Sequence, residues 1–342
     1  MAKHGRRTHE RVQTQPAVFH PSNTVPMLGH VMVGPSIPSA PIPASPTSSI
    51  NTVEATSYHQ SHSQTLTFGG QGTRPGKFQF PSSVTVSDQG EIIVADRWNK
   101  RIQVFTLQGT FVHQFPTVVP GGGQAMEPSD VAIDGQGNLW VVGEAEQAEF
   151  AVQYTKQGRA VTKIDLQKTG KVRGVAVDSR RNHILMTQTT GDWDNLHGEV
   201  MVFRPDGTLV RIVGKKNALA SLVLRQQRMK HPWYITVDGE GNVYVSDCGN
   251  PCIHGYSGDG QFLFQFGGSG ECQLQGPMGV CTDRAGNIIV VNSRNSRVEM
   301  FDKTGRFLKH ITTEMTQPCA VATATQGQLV VTDLRDHTIH VM

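Results

Sequence analysis

The chain contains 342 residues, of which 37% are hydrophobic and only 17% are charged, against roughly 25% charged in typical globular domains. Glycine accounts for 36 residues, well above the usual ~7%. This composition disfavours a helical bundle or coiled coil and favours an all-β protein with many turns. The net charge of +3 demands no polyanionic partner. No apolar run approaches the ~18 residues of a membrane span, so we expect no membrane partner.

Residues 1–63 differ in composition and patterning from the rest of the chain. They contain eight prolines and nine serines, with few aliphatic residues and no periodicity. Such a segment cannot bury enough apolar surface to offset the entropy of ordering, so we predict a disordered tail. The basic start, MAKHGRRTHERVQ, lacks the apolar run of a secretory signal. A mitochondrial transit peptide is the weaker alternative, because no apolar helical face accompanies the basic residues.

From residue 64 onwards one pattern recurs six times. Each copy has a first strand, a turn with Gly or Asn, a buried β run, a loop, a third strand and a hairpin. The copies begin at Pro81, Pro128, Arg173, Pro232, Pro277 and Pro318. The turn residues lie at Gly90, Gly137, Asn182, Gly241, Gly286 and Gly327, at intervals of 47, 45, 59, 45 and 41. This period is typical of a propeller blade with four strands, so residues 64–342 are predicted to form a six-bladed β-propeller.

The strands within each copy have distinct patterns. The second strands are near-continuous apolar runs, which indicates burial on both faces between stacked blades. The third strands alternate, as at Ile102 and Val104, which predicts one wetter face. The Asp residues that end the second strands, such as Asp96, are predicted to be turn-forming acceptors.

The sixth copy lacks its outer strand. Residues 65–78 resemble the outer strand and link at 262–276, so Leu66–Phe68 is predicted to complete the last blade and close the ring.

The first copy resembles the NHL repeat through Pro81-x-x-Val84 and the run Asp96-x-x-Asn99-x-Arg101-Ile102-Gln103-Val104-Phe105; the fifth copy matches from Asn292 to Phe301. NHL propellers of this kind occur in tripartite-motif (TRIM-NHL) and Brat-like proteins. The resemblance implies a propeller that recruits protein or mRNA, while a separate RING domain supplies ubiquitin-ligase activity. No cysteine precedes Cys248, so RING and B-box modules are absent. We therefore expect this chain alone to lack ligase activity.

Five cysteines occur, all after residue 247, and their odd number without a secretory signal favours reduced thiols in the cytoplasm. Cys248 and Cys252 lie four apart, but no second pair completes a zinc site, so two thiols beside a turn are expected. A metal-dependent propeller hydrolase or lyase is a remote alternative, because it needs His and carboxylates that converge on the axis. Here His183, His231 and His340 do not recur at equivalent blade positions. We expect no catalysis, no cofactor and no small-molecule substrate.

In a propeller, the loops that lead into first strands and those that join second to third strands share one face. The candidate partner-binding residues in these loops are Arg97, Trp98, Lys100, Arg173, Trp233, Tyr234, Asn250, Arg294 and Arg335. Cations beside aromatic rings can bind single-stranded RNA, whereas Trp98 and Trp233 could equally pack between blades. The loops also carry Asp192 and Asp194, and residues 64–342 hold 27 Lys and Arg against 26 Asp and Glu. The mixed charge favours a protein partner, with single-stranded RNA as the alternative.

Overall fold

The computed structural model describes residues 65–214, 228–268, 272–311 and 315–342. The predicted disordered tail, residues 1–63, lies outside the described residues. In the described ranges the regular structure is almost entirely β-strand, with short 3-10 turns at Arg97–Asn99 and Ser293–Asn295. The strands form six four-stranded antiparallel sheets, which confirms the all-β, six-bladed propeller.

Each blade runs from an innermost first strand to an outermost fourth strand. Blade 1 contains β2 (Pro81–Val86), β3 (Glu91–Asp96), β4 (Arg101–Thr106) and β5 (Phe111–Pro116). Blade 2 contains β6 (Glu127–Ile133), β7 (Leu139–Ala145), β8 (Ala148–Tyr154) and β9 (Ala160–Leu166). Blade 3 contains β10 (Val175–Asp178), β11 (His183–Thr190), β12 (His197–Phe203) and β13 (Leu209–Val213).

The remaining three blades repeat this order. Blade 4 contains β14 (Pro232–Val237), β15 (Val243–Asp247), β16 (Cys252–Tyr256) and β17 (Phe262–Phe266). Blade 5 contains β18 (Pro277–Thr282), β19 (Ile288–Asn292), β20 (Arg297–Phe301) and β21 (Phe307–Ile311). Blade 6 contains β22 (Pro318–Thr323), β23 (Leu329–Asp333), β24 (Thr338–Val341) and, as its outer strand, β1 (Leu66–Gly69).

The ring closes at its two ends. The innermost strands pack side by side around the axis, and β22 lies beside β2 of blade 1. On the outside, β1 pairs antiparallel with β24, with Leu66 opposite Val341 and Phe68 opposite Ile339. The prediction that Leu66–Phe68 completes the last blade is therefore confirmed. The pairing covers the edge of β24, which would otherwise be free to pair with another chain.

The core lies between neighbouring blades. The second strands are buried on both sides, as their apolar runs predict; Ile93 is 1% exposed and Val141 is fully buried. These two residues belong to one cluster with Val104, Val131 and Tyr154, which joins blade 1 to blade 2. Burying a side chain of this size contributes about 2 kcal/mol, so the stacking of blades supplies most of the driving force for the ring.

The prediction of a wetter face on the third strands is wrong for β4, where five of the six residues are buried. The polar side chains of Arg101 and Gln103 point into an interior that satisfies them. Arg101 donates to the Asp96 carboxylate at 2.7 Å and to the carbonyls of Thr73 and Lys77, and Gln103 donates to the same Lys77 carbonyl. The link before blade 1 thus covers this strand, which a pattern of alternating residues cannot reveal.

Candidate functional site on the upper face

The links that lead into first strands and the loops that join second to third strands lie at the same end of every blade. In blades 1, 4, 5 and 6, the residue that ends the second strand accepts a hydrogen bond from the link that leads into the same blade. Asp96 accepts from the Gln79 backbone N–H at 2.7 Å, Asp247 from Lys230 at 2.7 Å, and Asn292 from Gln275 at 2.8 Å. Asp247 also accepts from the backbone N–H groups of Gly249 and Asn250 in the turn that follows, as predicted, whereas the backbone donor to Asp96 belongs to the link. We call the end of the propeller that carries these loops the upper face; its second-to-third-strand loops are 97–100, 146–147, 191–196, 248–251, 293–296 and 334–337.

Four of the predicted residues are exposed on the upper face, namely Trp98, Lys100, Arg294 and Arg335. Trp98 is 57% exposed, and its ring stacks on Phe80 with centroids 4.8 Å apart. Lys100 follows the 3-10 turn in a left-handed conformation (φ 52°), which turns the chain back into β4. The Trp98 ring is therefore held by a neighbouring ring and is not inserted between blades.

Three more of the predicted residues, Arg97, Trp233 and Asn250, are half-buried and engaged within the chain. The Arg97 guanidinium lies 3.0 Å from the Glu144 carboxylate and 3.7 Å from that of Glu127. The Asn250 side-chain amide donates to the Arg228 carbonyl at 2.6 Å. These contacts hold the loops in place and leave part of each polar group facing solvent.

Arg173 lies in the interior rather than on the accessible surface, which corrects its assignment as a contact residue. It is 3% exposed, and its guanidinium donates to the Glu149 carboxylate at 2.5 Å and to Gln188 at 3.2 Å. It also donates to the carbonyls of Gln167 and Thr187. A buried guanidinium with all these partners cannot reach a ligand without breaking a paired ionic contact.

Tyr234 is also buried, which corrects its assignment as a contact residue. It is 7% exposed, and its hydroxyl donates to the Ser82 carbonyl at 2.5 Å and lies 2.9 Å from the Cys319 sulfur. Ser82 belongs to blade 1 and Cys319 to blade 6, so the side chain from blade 4 crosses the axis of the ring. Burial raises the pKa of Tyr234 well above its usual value. Tyr234 thus joins opposite sides of the propeller close to the upper face.

A cavity of about 900 Å³ runs along the axis and is lined by the innermost strands. Asp130 lies in its wall and accepts hydrogen bonds from Ser83 at 2.5 Å and from the Val175 backbone N–H at 2.7 Å. Burial raises the pKa of this carboxyl to about 7. The hydrogen bonds join the first strands of three blades, so Asp130 has a structural role in the ring.

In the described ranges, no three His, Cys, Asp or Glu side chains are arranged to hold a metal ion. Cys248 and Cys252 are free thiols, and burial raises the pKa of each to about 12. Cys248 lies 3.4 Å from the His231 ring and Cys252 lies 3.4 Å from the His254 ring. The two thiols therefore face different histidines on either side of the turn.

A cluster that the sequence analysis did not identify lies where blades 3 and 4 meet. Trp193 is 73% exposed, and the Lys171 ammonium lies 3.3 Å from the centroid of its ring. The Trp193 ring contacts His231 edge-on at 5.9 Å, and His231 contacts Trp233 edge-on at 5.5 Å. The sequence signal for this cluster is the interval of 59 residues between Asn182 and Gly241, which indicates extra length in blade 3 or in the link to blade 4.

Hydrogen bonding fixes the centre of this cluster. The Trp233 indole N–H donates to His231 Nε2 at 2.9 Å, so that nitrogen must be unprotonated. Burial lowers the pKa of His231, which favours the neutral ring that this bond requires. Trp233, predicted as a contact residue, is half-buried and is connected to the exposed Trp193 through His231.

No helix in the described part of the chain is long and apolar enough to cross a membrane.

The chain is similar in sequence to a known repeat family and to known proteins. The NHL repeat family matches residues 78–105, which cover most of the first three strands of blade 1. The E3 ubiquitin-protein ligase TRIM32 of Homo sapiens is 28% identical over 303 residues, covering 80% of this chain and 43% of TRIM32. The protein brain tumor of Drosophila melanogaster is 34% identical over 119 residues, covering 35% of this chain and 12% of that protein. This chain therefore spans less than half the length of these relatives.

Solved structures share the architecture at low sequence identity. A streptogramin B lyase superposes with a TM-score of 0.56 and 14% identity, covering 81% of this chain and 96% of the lyase. A chain of a nidogen/laminin complex gives a TM-score of 0.55 and 20% identity, covering 71% of this chain and 86% of that one. An enzyme and a protein in a complex thus share the fold, so these likenesses establish the propeller and no activity. The chain is thus a six-bladed β-propeller whose first blade matches the NHL repeat and whose sequence is similar to TRIM-NHL and Brat-like proteins.

Proposed function

We propose that this chain is a non-catalytic scaffold of the cytoplasm whose upper face binds a protein partner. The propeller, residues 64–342, is the binding unit, and residues 1–63 serve as a linking segment. The observation that carries the proposal is the pair of exposed tryptophans, Trp98 and Trp193, on a face of mixed charge. Large aromatic side chains surrounded by polar groups are typical anchors of protein interfaces.

The charge on this face supports a polypeptide over a polyanion. Arg97 is neutralised by Glu127 and Glu144, and Arg173 is buried against Glu149. The exposed loops add Asp192 and Asp194 to the same face. A nucleic-acid-binding surface normally shows a clear excess of basic residues, because each neutralised phosphate contributes to affinity.

The relatives suggest what such a partner is used for. TRIM32 is named an E3 ubiquitin-protein ligase, and no cysteine precedes Cys248 here to form a RING. We infer that this propeller resembles the part of such proteins that recruits a substrate or another partner. The lyase-like fold of the solved structures does not favour catalysis, since a shared propeller carries no chemistry without a site.

Single-stranded RNA binding is the second candidate, and one observation favours it. Trp98 is exposed beside the basic residue Lys100, and Arg294 and Arg335 are exposed on other loops of the same face. Rings that stack on bases and cations that neutralise phosphates are the two requirements of such a site.

A titration with a random single-stranded RNA pool across a salt series separates the two functions. The whole chain is compared with the double variant Lys100→Glu/Arg335→Glu and with the control Lys303→Glu/Lys309→Glu, which reverses two exposed charges away from the upper face. We expect no micromolar binding at physiological salt. Micromolar, salt-steep binding that is lost in the first double variant and kept in the control would establish the RNA function instead.

A further inference from the structure

The long loop of blade 3 places a tryptophan between two carboxylates at its tip. The loop joins Thr190 of β11 to His197 of β12, and a turn closed by the Asn195 N–H and the Asp192 carbonyl, 2.8 Å apart, presents Trp193. At 73%, Trp193 is the most exposed large hydrophobic residue in the described part of the chain. Exposed tryptophan is a typical anchor of a protein interface, where this residue is enriched over the rest of the surface.

The Trp193 ring already holds a cation. The Lys171 ammonium lies 3.3 Å from the ring centroid, within the range of a cation–π interaction. Among the described residues Lys171 has no carboxylate within 4 Å, so its charge is held by the ring rather than by an ion pair. The ring face is therefore placed and oriented to receive a positive charge.

The carboxylates of the two residues that flank Trp193 in the sequence are free to accept a ligand. Asp192 and Asp194 are both exposed, and within the described ranges neither side chain forms an ion pair or a hydrogen bond. Trp98 offers an internal comparison, since its sequence neighbours are Arg97 and Asn99 and its ring stacks on Phe80. Of these two exposed tryptophans, only Trp193 is flanked in the sequence by two acceptors of positive charge.

Contacts with blade 4 also hold the Trp193 ring in position. The edge-on contact of Trp193 with His231, and the hydrogen bond from Trp233 to His231, connect the loop tip of blade 3 to the first strand of blade 4. Support of this kind reduces the ordering that binding would otherwise require.

We propose that the tip Asp192-Trp193-Asp194 binds an arginine side chain of the partner polypeptide. The guanidinium stacks on the indole ring in place of the Lys171 ammonium, and the two carboxylates accept its N–H groups. A planar guanidinium suits this arrangement better than an ammonium, because it can stack and donate in its plane at once. The inference rests on the proposed protein-binding function and specifies the chemistry of the partner. The paired carboxylates would repel RNA phosphates.

The test uses a random peptide library displayed against the whole chain, followed by synthesis of the enriched peptides with arginine or with its neutral isostere citrulline. We expect the enriched peptides to contain arginine, and citrulline to weaken binding about tenfold, since stacking and two charge-assisted contacts are lost together. In Trp193→Ala and in Asp192→Asn/Asp194→Asn, the difference between the two peptides should nearly vanish.

Two further variants make the test specific. Trp98→Ala removes the other exposed tryptophan, so it can weaken binding overall but should keep the tenfold preference for arginine over citrulline. Lys171→Gln frees the ring face and removes a competing charge, so it should strengthen binding of arginine peptides by about two- to fivefold.

The outcomes also separate this inference from the proposed function. Peptides that bind without arginine, or whose preference for arginine survives in Trp193→Ala, would overturn the assignment of the loop while leaving protein binding intact. A library that yields no binding peptide would contradict the protein-binding function, and the assignment of the loop with it.

Discussion

Arg173 and Arg335 both occur in loops of the upper face, and their surroundings give them opposite roles. Arg335 is exposed, and its backbone N–H donates to Asp333 at 2.8 Å. Arg173 is 3% exposed and is paired with Glu149, which is itself 3% exposed. Glu149 also accepts from the backbone N–H groups of Thr169 and Gly170, each at 2.7 Å, so this buried pair organises the link into blade 3.

Replacing the buried arginine should therefore destabilise the fold. We expect Arg173→Met to lower the free energy of unfolding by about 3 kcal/mol or more, because the Glu149 charge is left buried without its partner. Arg335→Met, the same change at an exposed position, should alter it by less than about 0.5 kcal/mol. Urea denaturation of the two variants measures the difference. Equal stabilities would mean that Arg173 is not an essential structural partner.

At the scale of the element, the blades interlock through their hairpins. An apolar side chain of an outer strand packs over the hairpin glycine of the next blade. A Cβ at Gly109 would lie 2.8 Å from Phe68, and one at Gly158 would lie 2.2 Å from Phe115. Gly305 has the same relation to Phe266, at 2.5 Å. These glycines thus serve both the turn and the close approach of the neighbouring blade.

A pair of glycine substitutions tests this packing. Gly137 and Gly158 have similar positive φ angles, 81° and 87°, but a Cβ at Gly137 would meet nothing within 4 Å. Gly137→Ala should cost about 1 kcal/mol of stability from backbone strain alone. Gly158→Ala should cost about 3 kcal/mol, because the new methyl group also collides with the Phe115 ring.

Thermal and urea unfolding of both variants measure these costs. Similar losses in the two variants would show that backbone conformation alone explains the hairpin glycines.

The sequence predicts the fold better than the site, because the signals of the fold are local and those of the site are not. The repeated turns and buried runs are local, so they defined six blades, and the similarity of residues 65–78 to 262–276 located the closing strand. The site depends on contacts between blades. Arg173 meets Glu149 across two blades, and Tyr234 reaches Ser82 across the ring. Neither contact leaves a trace in the spacing of residues, so both residues were assigned to the surface.

Trp193 was missed for a related reason. The extra length of its loop was visible, but the cation on its ring comes from Lys171, 22 positions earlier in the sequence, and its support comes from His231 in the next blade. Only the fold brings these three side chains together.

At the scale of the whole molecule, the described residues form a closed ring of six blades. Tyr234 bridges the axis of this ring, and the upper face carries Trp98 and Trp193. The outer strands expose single apolar residues such as Leu263, which is 46% exposed. Isolated exposed residues of this kind are normal for a folded protein and mark no site. We therefore assign binding to one end of the ring and no role to its circumference.

Photo-crosslinking in cells that express the chain tests this assignment most directly. A photoreactive p-benzoylphenylalanine replaces Trp98 on the upper face in one variant and Leu263 on the circumference in another. We predict discrete adducts from position 98 that resist ribonuclease and are destroyed by protease, with few or none from position 263. Adducts from position 98 that ribonuclease removes, or equal adducts from both positions, would contradict this assignment.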